Sequence, residues 1–243
     1  MYTGLNNQKA LFSESRLTQL KWLQRVLFSI TLCAMSVVHS SDTITLPAPH
    51  LVSDFSVEQA IHERRSVREF SNKPLSLAEV SQLLWSAQGT TDNKGHRAAP
   101  SAGALYPLVL YLVVGNVTGL EPGVYQYSSD GHKIHHVKEG DRRAELAEAA
   151  LQQDWMQESA ALLVFSAIEK KTSWKYGQRG IRYIHIEVGH SAQNVFLQAQ
   201  SLGLSAAVVG AFNDSQVKTV LNLPAAEQVL YVMPVGRSEM VKY

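Results

Sequence analysis

Two uncharged apolar runs constrain the fold of this 243-residue chain more than any other feature. Leu108–Val114 reads LVLYLVV and residues 161–168 read ALLVFSAI, which are the length and composition of buried β-strands. Residues 124–127 and 133–137 flank a Ser-Asp-Gly turn and predict a β-hairpin. Helical periodicity marks the segments between the strands, and residues 181–202 form the longest predicted helix. Because helices interleave with strands and one strand pair is a hairpin, we predict a mixed central sheet rather than an all-parallel one.

The first 40 residues differ in character from the rest of the chain. Four Lys and Arg residues and one Glu precede an uncharged apolar run of 13 residues, 26–38. A membrane-spanning helix needs about 20 apolar residues, whereas a basic start and a short apolar core are typical of a signal peptide. Val38 and Ser40 suit cleavage before Ser41. We therefore predict an exported or periplasmic protein; the alternatives are an uncleaved membrane anchor, or a buried N-terminal helix in a cytoplasmic protein.

Downstream of this segment the sequence divides into two parts. Residues 41–55 contain prolines and read as a linker or arm, and residues 56–243 read as one domain. The 22 Lys and Arg residues nearly balance the 21 Asp and Glu residues, so no basic field supports nucleic-acid binding. A single cysteine excludes a disulfide framework and an iron–sulfur cluster, and no histidine spacing predicts a metal site. Nucleotide-binding glycine motifs are absent from the sequence.

A cationic cluster, RRSVR at residues 64–68, follows the first predicted helix of the domain. Its guanidinium groups and hydroxyl could bind a phosphate, although the dipole of the preceding helix also favours basic residues there. Arg237 follows the last predicted strand.

Two turns and one helix face are further candidates for a site. The loop of residues 89–103 is long and ends in Pro-Ser-Ala-Gly, where small residues let a flat ligand approach the backbone. Gly210 and Ala211 follow a strand and precede a capped helix, so their N–H groups could bind a heteroatom of a ring; an ordinary turn is the alternative for both segments. Glu187, His190 and Asn194 form a polar line on the longest helix, which we interpret as a dimer or helix interface.

The chain resembles the nitroreductase family of FMN-dependent oxidoreductases over roughly residues 56–238. The motifs that carry the resemblance occur in the family's order: RRSVREF, PSAGALYP, KYGQRGIRYIHIEVGHSAQN, VVGAFND and PVGR. The chain is most similar to the SagB-type dehydrogenase branch, which includes thiazoline and oxazoline oxidases. This resemblance implies an α+β fold with helices around a mixed central sheet. It also implies an intertwined homodimer with FMN at the subunit interface.

The resemblance assigns a role to each candidate. Around the FMN phosphate and ribityl chain it expects Arg64, Arg65, Ser66 and Arg68, with Arg237 closing on the phosphate. Against the isoalloxazine, from the partner subunit, it expects Pro100, Ser101, Ala102 and Gly103. Gly210 and Ala211 would lie beside flavin N5. Lys175 and Tyr176 match the acid/base pair of the azoline oxidases; a solvated loop over residues 170–180 is the alternative.

The expected activity is hydride transfer through flavin N5. NAD(P)H would be the electron donor of a cytoplasmic nitro or quinone reductase, whereas export favours a dehydrogenase that oxidises a small molecule or a peptide. An exported flavin-binding protein without turnover is the alternative from another class. The expected partners are a second copy of the chain and the substrate, without nucleic acid, and a membrane only through an uncleaved N-terminal segment.

Overall fold

The computed structural model describes residues 43–239, so the predicted signal segment and its cleavage point lie outside the described residues. The strands are β1 (Thr43–Thr45), β2 (Leu75–Ser76), β3 (Leu108–Val114), β4 (Val117–Thr118), β5 (Gly123–Ser128), β6 (Lys133–Glu139), β7 (Ala161–Ala167), β8 (Ser205–Ala206) and β9 (Gln228–Gly236). The helices are α1 (Val57–Glu63), α2 (Leu77–Gln88), α3 (Arg143–Ala149), α4 (Lys170–Tyr176), α5 (Arg179–Ser201) and α6 (Asp214–Leu221).

Seven of these strands form one sheet in the order β1-β6-β5-β3-β7-β9-β8. Each pair of neighbouring strands in it is antiparallel. Parallel pairing occurs between β2 and β4, which form a separate pair, and at a single bridge from Ser66 to Ala206 of β8. The α+β class is therefore confirmed, and the parallel component predicted for the central sheet is limited to that bridge.

The central strands β3 and β7 are buried because both faces of the sheet are covered. Along β3, Leu110 and Leu112 pack in the hydrophobic cluster that contains Leu83 of α2 and Val188 of α5. The intervening Tyr111 packs in a second cluster, together with residues of α3 and α6. Successive side chains of a strand point to opposite faces, so an uninterrupted apolar run requires helices on both faces of the sheet.

Three predicted segments differ in extent from the observed ones. The helix predicted over residues 141–152 is α3, which ends at Ala149 because Leu151 and Gln152 adopt left-handed φ values of 60° and 61°. Helix α5 begins two residues before the predicted start. Residues 170–176 form α4, which shows that the solvated-loop alternative for 170–180 is wrong over these residues.

The described part of the segment predicted as a linker or arm contains β1, which adds an edge strand to the sheet by pairing with β6. Residues 46–56 contain no further helix or strand. The proposed domain boundaries remain predictions. Within residues 43–239, no helix combines the length and the apolar character that crossing a bilayer requires.

Candidate active site

The long loop between α2 and β3 is fixed by hydrogen bonds to both neighbouring helices. Asn194 of α5 donates from Nδ2 to the carbonyl oxygens of Ser86 and Ala98, at 3.1 Å each. Arg97 donates from Nη1 to Gln88 Oε1 at 3.1 Å, and its guanidinium lies 4.6 Å from the centre of the Tyr106 ring. The loop therefore has a defined conformation, and Asn194 of the polar line contributes to it within the same chain.

The Pro-Ser-Ala-Gly motif forms a tight turn at the end of this loop. Ser101 Oγ accepts a hydrogen bond of 2.9 Å from the backbone N–H of Tyr106. Ala102–Ala104 form a single 3₁₀ turn, in which Gly103 adopts φ 63° and ψ 19°. A residue with a β-carbon adopts this left-handed conformation only at a cost, so glycine suits the position. Pro100 and Gly103 are exposed, whereas Ser101 and Ala102 are half-buried.

This turn lies directly against the predicted Lys–Tyr pair. A β-carbon on Gly103 would be 2.7 Å from Tyr176 Oη and 2.9 Å from Lys175 Nζ, so both polar side-chain ends approach the glycine backbone. Lys175 Nζ lies 5.4 Å from the centre of the Tyr176 ring, and Tyr183 contacts that ring edge-on at 5.1 Å. Two motifs that are more than 70 residues apart in sequence therefore meet at one place.

Behind the turn lies Glu187, for which the helical spacing of polar residues predicted an interface and not a place in the site. Its side chain is buried in the middle of α5, and its Oε1 has no hydrogen-bond partner within residues 43–239. Burial raises the pKa of Glu187 to about 7, against the opposing effects of the Ser101 hydroxyl and the positive charge of Arg97. The helical spacing of the polar line indicates which residues share one face of α5. It does not identify the segment that packs against that face.

The cationic cluster lies beside β8, at a different part of the molecule. The backbone N–H of Val67 donates to the carbonyl of Ala206 at 2.9 Å, next to the bridge from Ser66. Arg64 lies over the ring of Phe196 at 5.2 Å, and Arg68 lies over the ring of Trp155 at 5.7 Å.

Ionic partners distinguish this cluster from Arg237. Arg65 donates to the carbonyl oxygens of His62 and Arg64. Across residues 43–239, Arg64, Arg65 and Arg68 have no carboxylate within ion-pair distance. Arg237 lies near the segment that follows the cluster, because its carbonyl accepts a hydrogen bond from the N–H of Ser71. Its guanidinium, however, forms an ion pair with Glu79 at 2.7 Å.

Gly210 and Ala211 form an exposed turn between the β8 region and α6. Val209 is bridged to Val232 of β9, so the turn begins at the sheet. The carbonyl of Ala211 accepts from Gln153 Nε2 at 3.3 Å, whereas no backbone hydrogen bond from the N–H of Gly210 or Ala211 to a described residue is present. The two amides are thus free to bind a ligand atom.

The candidates form two groups within one chain. Strands β3 and β9 both pair antiparallel with β7, and their first residues, Leu108 and Gln228, share Ala167 as partner. The turn at residues 100–103 precedes β3 and Arg237 follows β9, so the two lie at opposite ends of the sheet. The six residue steps of β3 correspond to about 20 Å. Lys175 and Tyr176 belong to the group of the 100–103 turn. The cationic cluster and Arg237 form the other group, near β8.

The donor set at the cationic cluster fits the phosphate of FMN. A phosphate monoester is dianionic and binds guanidinium groups, hydroxyls and backbone amides. Three guanidinium groups without an acidic partner and the exposed Ser66 hydroxyl supply such donors. The engagement of Arg237 with Glu79 leaves its contact with the phosphate a prediction.

Comparisons with known proteins agree with the fold. The nitroreductase family model matches residues 61–237. A provisionally assigned nitroreductase of Methanocaldococcus jannaschii is 43% identical over 196 residues, which cover 81% of this chain and 98% of that protein. The Microcin B17-processing protein McbC of Escherichia coli is 28% identical over 155 residues, which cover 61% of this chain and 57% of McbC.

Solved structures give the same result. A provisionally assigned nitroreductase of Ralstonia eutropha superposes with a TM-score of 0.73 at 28% identity, over 84% of this chain and 93% of that one. A chain of the E. coli microcin synthetase McbBCD, in a complex with truncated pro-MccB17, superposes with a TM-score of 0.64 at 25% identity, over 83% and 80% of the two chains. The match to the family model spans most of the chain and includes all the candidate site residues. This protein therefore belongs to the nitroreductase family, whose members are oxidoreductases.

Proposed function

We propose that the chain is an FMN-dependent dehydrogenase of the SagB type that removes a hydride and a proton from a small molecule or a peptide. The observation that carries the proposal is the approach of Tyr176 Oη and Lys175 Nζ to Gly103. It joins the predicted acid/base pair to the predicted flavin-contacting turn, a juxtaposition that neither motif specifies by itself. The similarity to McbC, which is named a processing protein, supports a peptide as the substrate class.

Binding of FMN is assigned to the group of residues near β8. Arg64, Arg65 and Arg68 would neutralise the phosphate, and Ser66 would donate a further hydrogen bond. Arg237 would join them if its guanidinium turned away from the carboxylate of Glu79. The Glu79 side chain is only 17% exposed. The N–H groups of Gly210 and Ala211 would orient the ring system.

The proton is assigned to the Lys175–Tyr176 pair. Bound FMN would supply a hydride acceptor, so the substrate must release a proton as well. Lys175 is exposed and Tyr176 is half-buried, which leaves both polar ends open to a substrate above the Gly103 turn. One of them would take the proton while the other holds the substrate atom that carries it.

A homodimer would unite the two groups of residues. In one chain the 100–103 turn and Arg237 lie at opposite ends of the sheet, and a twofold axis would bring each group of one protomer against the other group of its partner. We therefore assign the 100–103 turn, Lys175 and Tyr176 of one protomer to the flavin held by the other protomer's arginines.

Mixing two inactive variants tests this arrangement. Arg68→Ala removes a phosphate contact and Tyr176→Phe removes an acid/base group, so each homodimer should be inactive. A heterodimer would contain one intact site, and an equal mixture should regain about a quarter of wild-type activity after exchange of subunits. No recovery in a mixture whose exchange is verified by mass spectrometry would show that each site lies within one protomer.

The function itself is tested with the purified protein. Its visible spectrum and the mass of the released ligand should identify FMN, and Arg68→Ala should lose that ligand. A synthetic peptide with one thiazoline ring should lose two hydrogen atoms in the presence of ferricyanide as electron acceptor. Lys175→Gln should abolish this reaction, whereas Lys171→Gln, on the same helix, should not.

Three outcomes would redirect the proposal. Anaerobic bleaching of the flavin by NADH or NADPH, without oxidation of the peptide, would indicate a nitro or quinone reductase. Bound FMN that no donor reduces would indicate a flavin-binding protein without turnover. A colourless dimer would contradict both flavin functions. We also propose that residues 1–40 direct export of the protein. Export would argue against the first outcome, because NAD(P)H is a cytoplasmic electron donor.

A further inference from the structure

The segment that joins α3 to β7, residues 150–160, has an unusual backbone. Leu151 and Gln152 adopt left-handed φ values of 60° and 61°, and a short 3₁₀ helix, Asp154–Glu158, follows them. Left-handed conformations are unfavourable for residues with a β-carbon, so two in succession are retained only where the surrounding structure requires them. The proposed function assigns no role to this connecting segment, although it contacts two separate parts of the FMN site.

The first of these parts is the turn at Gly210 and Ala211. The carbonyl of Ala149, the last residue of α3, accepts a hydrogen bond of 2.8 Å from the N–H of Asn213. In the connecting segment, Gln153 Nε2 donates to the carbonyl of Ala211 at 3.3 Å. The turn is therefore held at two of its residues, and its N–H groups keep a defined direction.

The second part is the cationic cluster. The half-buried Trp155 has the guanidinium of Arg68 at 5.7 Å from its ring, and it stacks on the ring of Phe70 at 6.3 Å and 23°. Phe70 in turn packs on the backbone of Gly236, where an added β-carbon would lie 3.0 Å from its Cδ1. Because Gly236 directly precedes Arg237, Trp155 connects Arg68 to the backbone beside Arg237.

We propose that the connecting segment braces the FMN site: Trp155 positions Arg68 for the phosphate, and Gln153 positions the turn at Gly210 and Ala211 for the ring system. Both act through the residues that they contact, so both are positioning residues. The proposal deepens the proposed function and rests on it for FMN as the ligand. It joins two parts of the site that the sequence separates by more than 140 residues.

The brace should act on the two ends of FMN in different ways. An arginine side chain loses rotamer freedom when it binds a phosphate, and one that already stacks on a tryptophan has less freedom to lose. Trp155 should therefore strengthen the binding of FMN and not that of riboflavin, which lacks the phosphate. Gln153 should strengthen the binding of both flavins, because both have the ring system.

The dissociation constants of FMN and riboflavin test this difference. They are measured by quenching of flavin fluorescence on protein from which the flavin has been removed, and the ratio of the two constants reports the contribution of the phosphate. Trp155→Leu should lower this ratio by about tenfold, and Trp155→Phe, which keeps an aromatic ring, should restore most of it. A merely structural role would weaken both flavins alike and leave the ratio unchanged.

Gln153→Ala should weaken both flavins by about 3- to 10-fold, as for the loss of one hydrogen bond, and should leave the ratio unchanged. The matched control is Gln157→Ala in the 3₁₀ helix, where an exposed glutamine is removed and both constants should stay as in the wild type. Urea unfolding verifies that each variant is folded. If Trp155→Leu does not fold, Trp155→Met removes the ring with a smaller loss of volume.

The outcomes separate this inference from the proposed function. A wild-type ratio in folded Trp155→Leu or Trp155→Met would overturn the role of Trp155, and wild-type constants in Gln153→Ala would overturn that of Gln153. Either result in a protein that binds FMN contradicts the brace alone. A wild-type protein that binds neither flavin would contradict the proposed function and the brace together.

Discussion

A methyl group on Gly103 tests whether the contact with Lys175 and Tyr176 serves catalysis. The glycine has φ 63°, where alanine costs about 1–2 kcal/mol relative to its ordinary conformations. The new β-carbon would lie 2.7 Å from Tyr176 Oη and 2.9 Å from Lys175 Nζ. Both atoms are ends of flexible side chains, so they should move rather than the backbone. We expect Gly103→Ala to lose about 1–2 kcal/mol of unfolding free energy and about 100-fold in rate, as for a catalytic group displaced by roughly 1 Å.

Gly95 in the same loop provides a matched control. It has φ 83°, and a β-carbon there would meet no atom within 4 Å. Gly95→Ala should therefore have a similar backbone cost without displacing the acid/base pair. Urea unfolding gives the two stabilities, and oxidation of a thiazoline peptide under single-turnover conditions gives the two rates. We expect similar stabilities and very different rates.

Two results would refute the reasoning. If Gly103→Ala retained the wild-type rate while the variant folded and bound FMN, the approach of Tyr176 and Lys175 to the glycine would have no catalytic importance. If Gly95→Ala lost as much activity as Gly103→Ala, the loss would come from the left-handed backbone conformation of the loop. In that case the side-chain contact would not be its cause.

Three further predictions concern stability and processing. Burial raises the pKa of Glu187 from the usual carboxyl value of 4.5 to about 7, so the unfolding free energy should fall by about 3 kcal/mol as the pH rises from about 4.5 to 7. Urea unfolding at pH 5 and pH 8 should show this fall in the wild type and not in Glu187→Gln. Asn194→Ala removes hydrogen bonds to Ser86 and Ala98, so it should cost about 1–3 kcal/mol and hasten proteolysis of the 89–107 loop; equal cleavage of both proteins would contradict this. Mature protein from the native host should begin at Ser41, and an N-terminus at Met1 would contradict cleavage.

Much of the fold could be predicted because its signals are local. An uncharged, valine-rich run such as Leu108–Val114 favours a strand buried on both faces, and the structure places it as β3 in the middle of the covered sheet. Helix α2 has local sequence signals at both ends: Ser76 and Glu79 have the spacing of a capping box, which the structure contains, and Gly89 is its C-terminal cap. Helix α4 was not predicted, because its sequence KKTSWKY is polar and it is held by tertiary packing of the buried Thr172 against its surroundings.

The candidate site was only partly accessible to the same reasoning. Motifs give the identities of Gly103, Lys175 and Tyr176, but their contact depends on how α4 follows β7 beside the start of β3. Glu187 has the clearest local signal, a charged residue on an apolar helix face, yet periodicity cannot say which loop covers that face. The segment that covers it is an irregular loop ending in the 3₁₀ turn Ala102–Ala104, and the path of this loop depends on single hydrogen bonds such as those from Asn194.

The cationic cluster shows how the structure changes the weight of two explanations that the sequence leaves open. A helix dipole favours basic residues within the last turn and stabilises each by about 0.3–1 kcal/mol. Helix α1 has seven residues and ends at Glu63, so Arg64 and Arg65 are close enough for this effect. Arg68 lies beyond the reach of the last turn and stacks on Trp155 instead. The dipole of α1 therefore does not account for all three guanidinium groups, none of which has an acidic partner in the described part of the chain. A bound dianion would stabilise all three at once, and for that reason we assign the cluster to a phosphate.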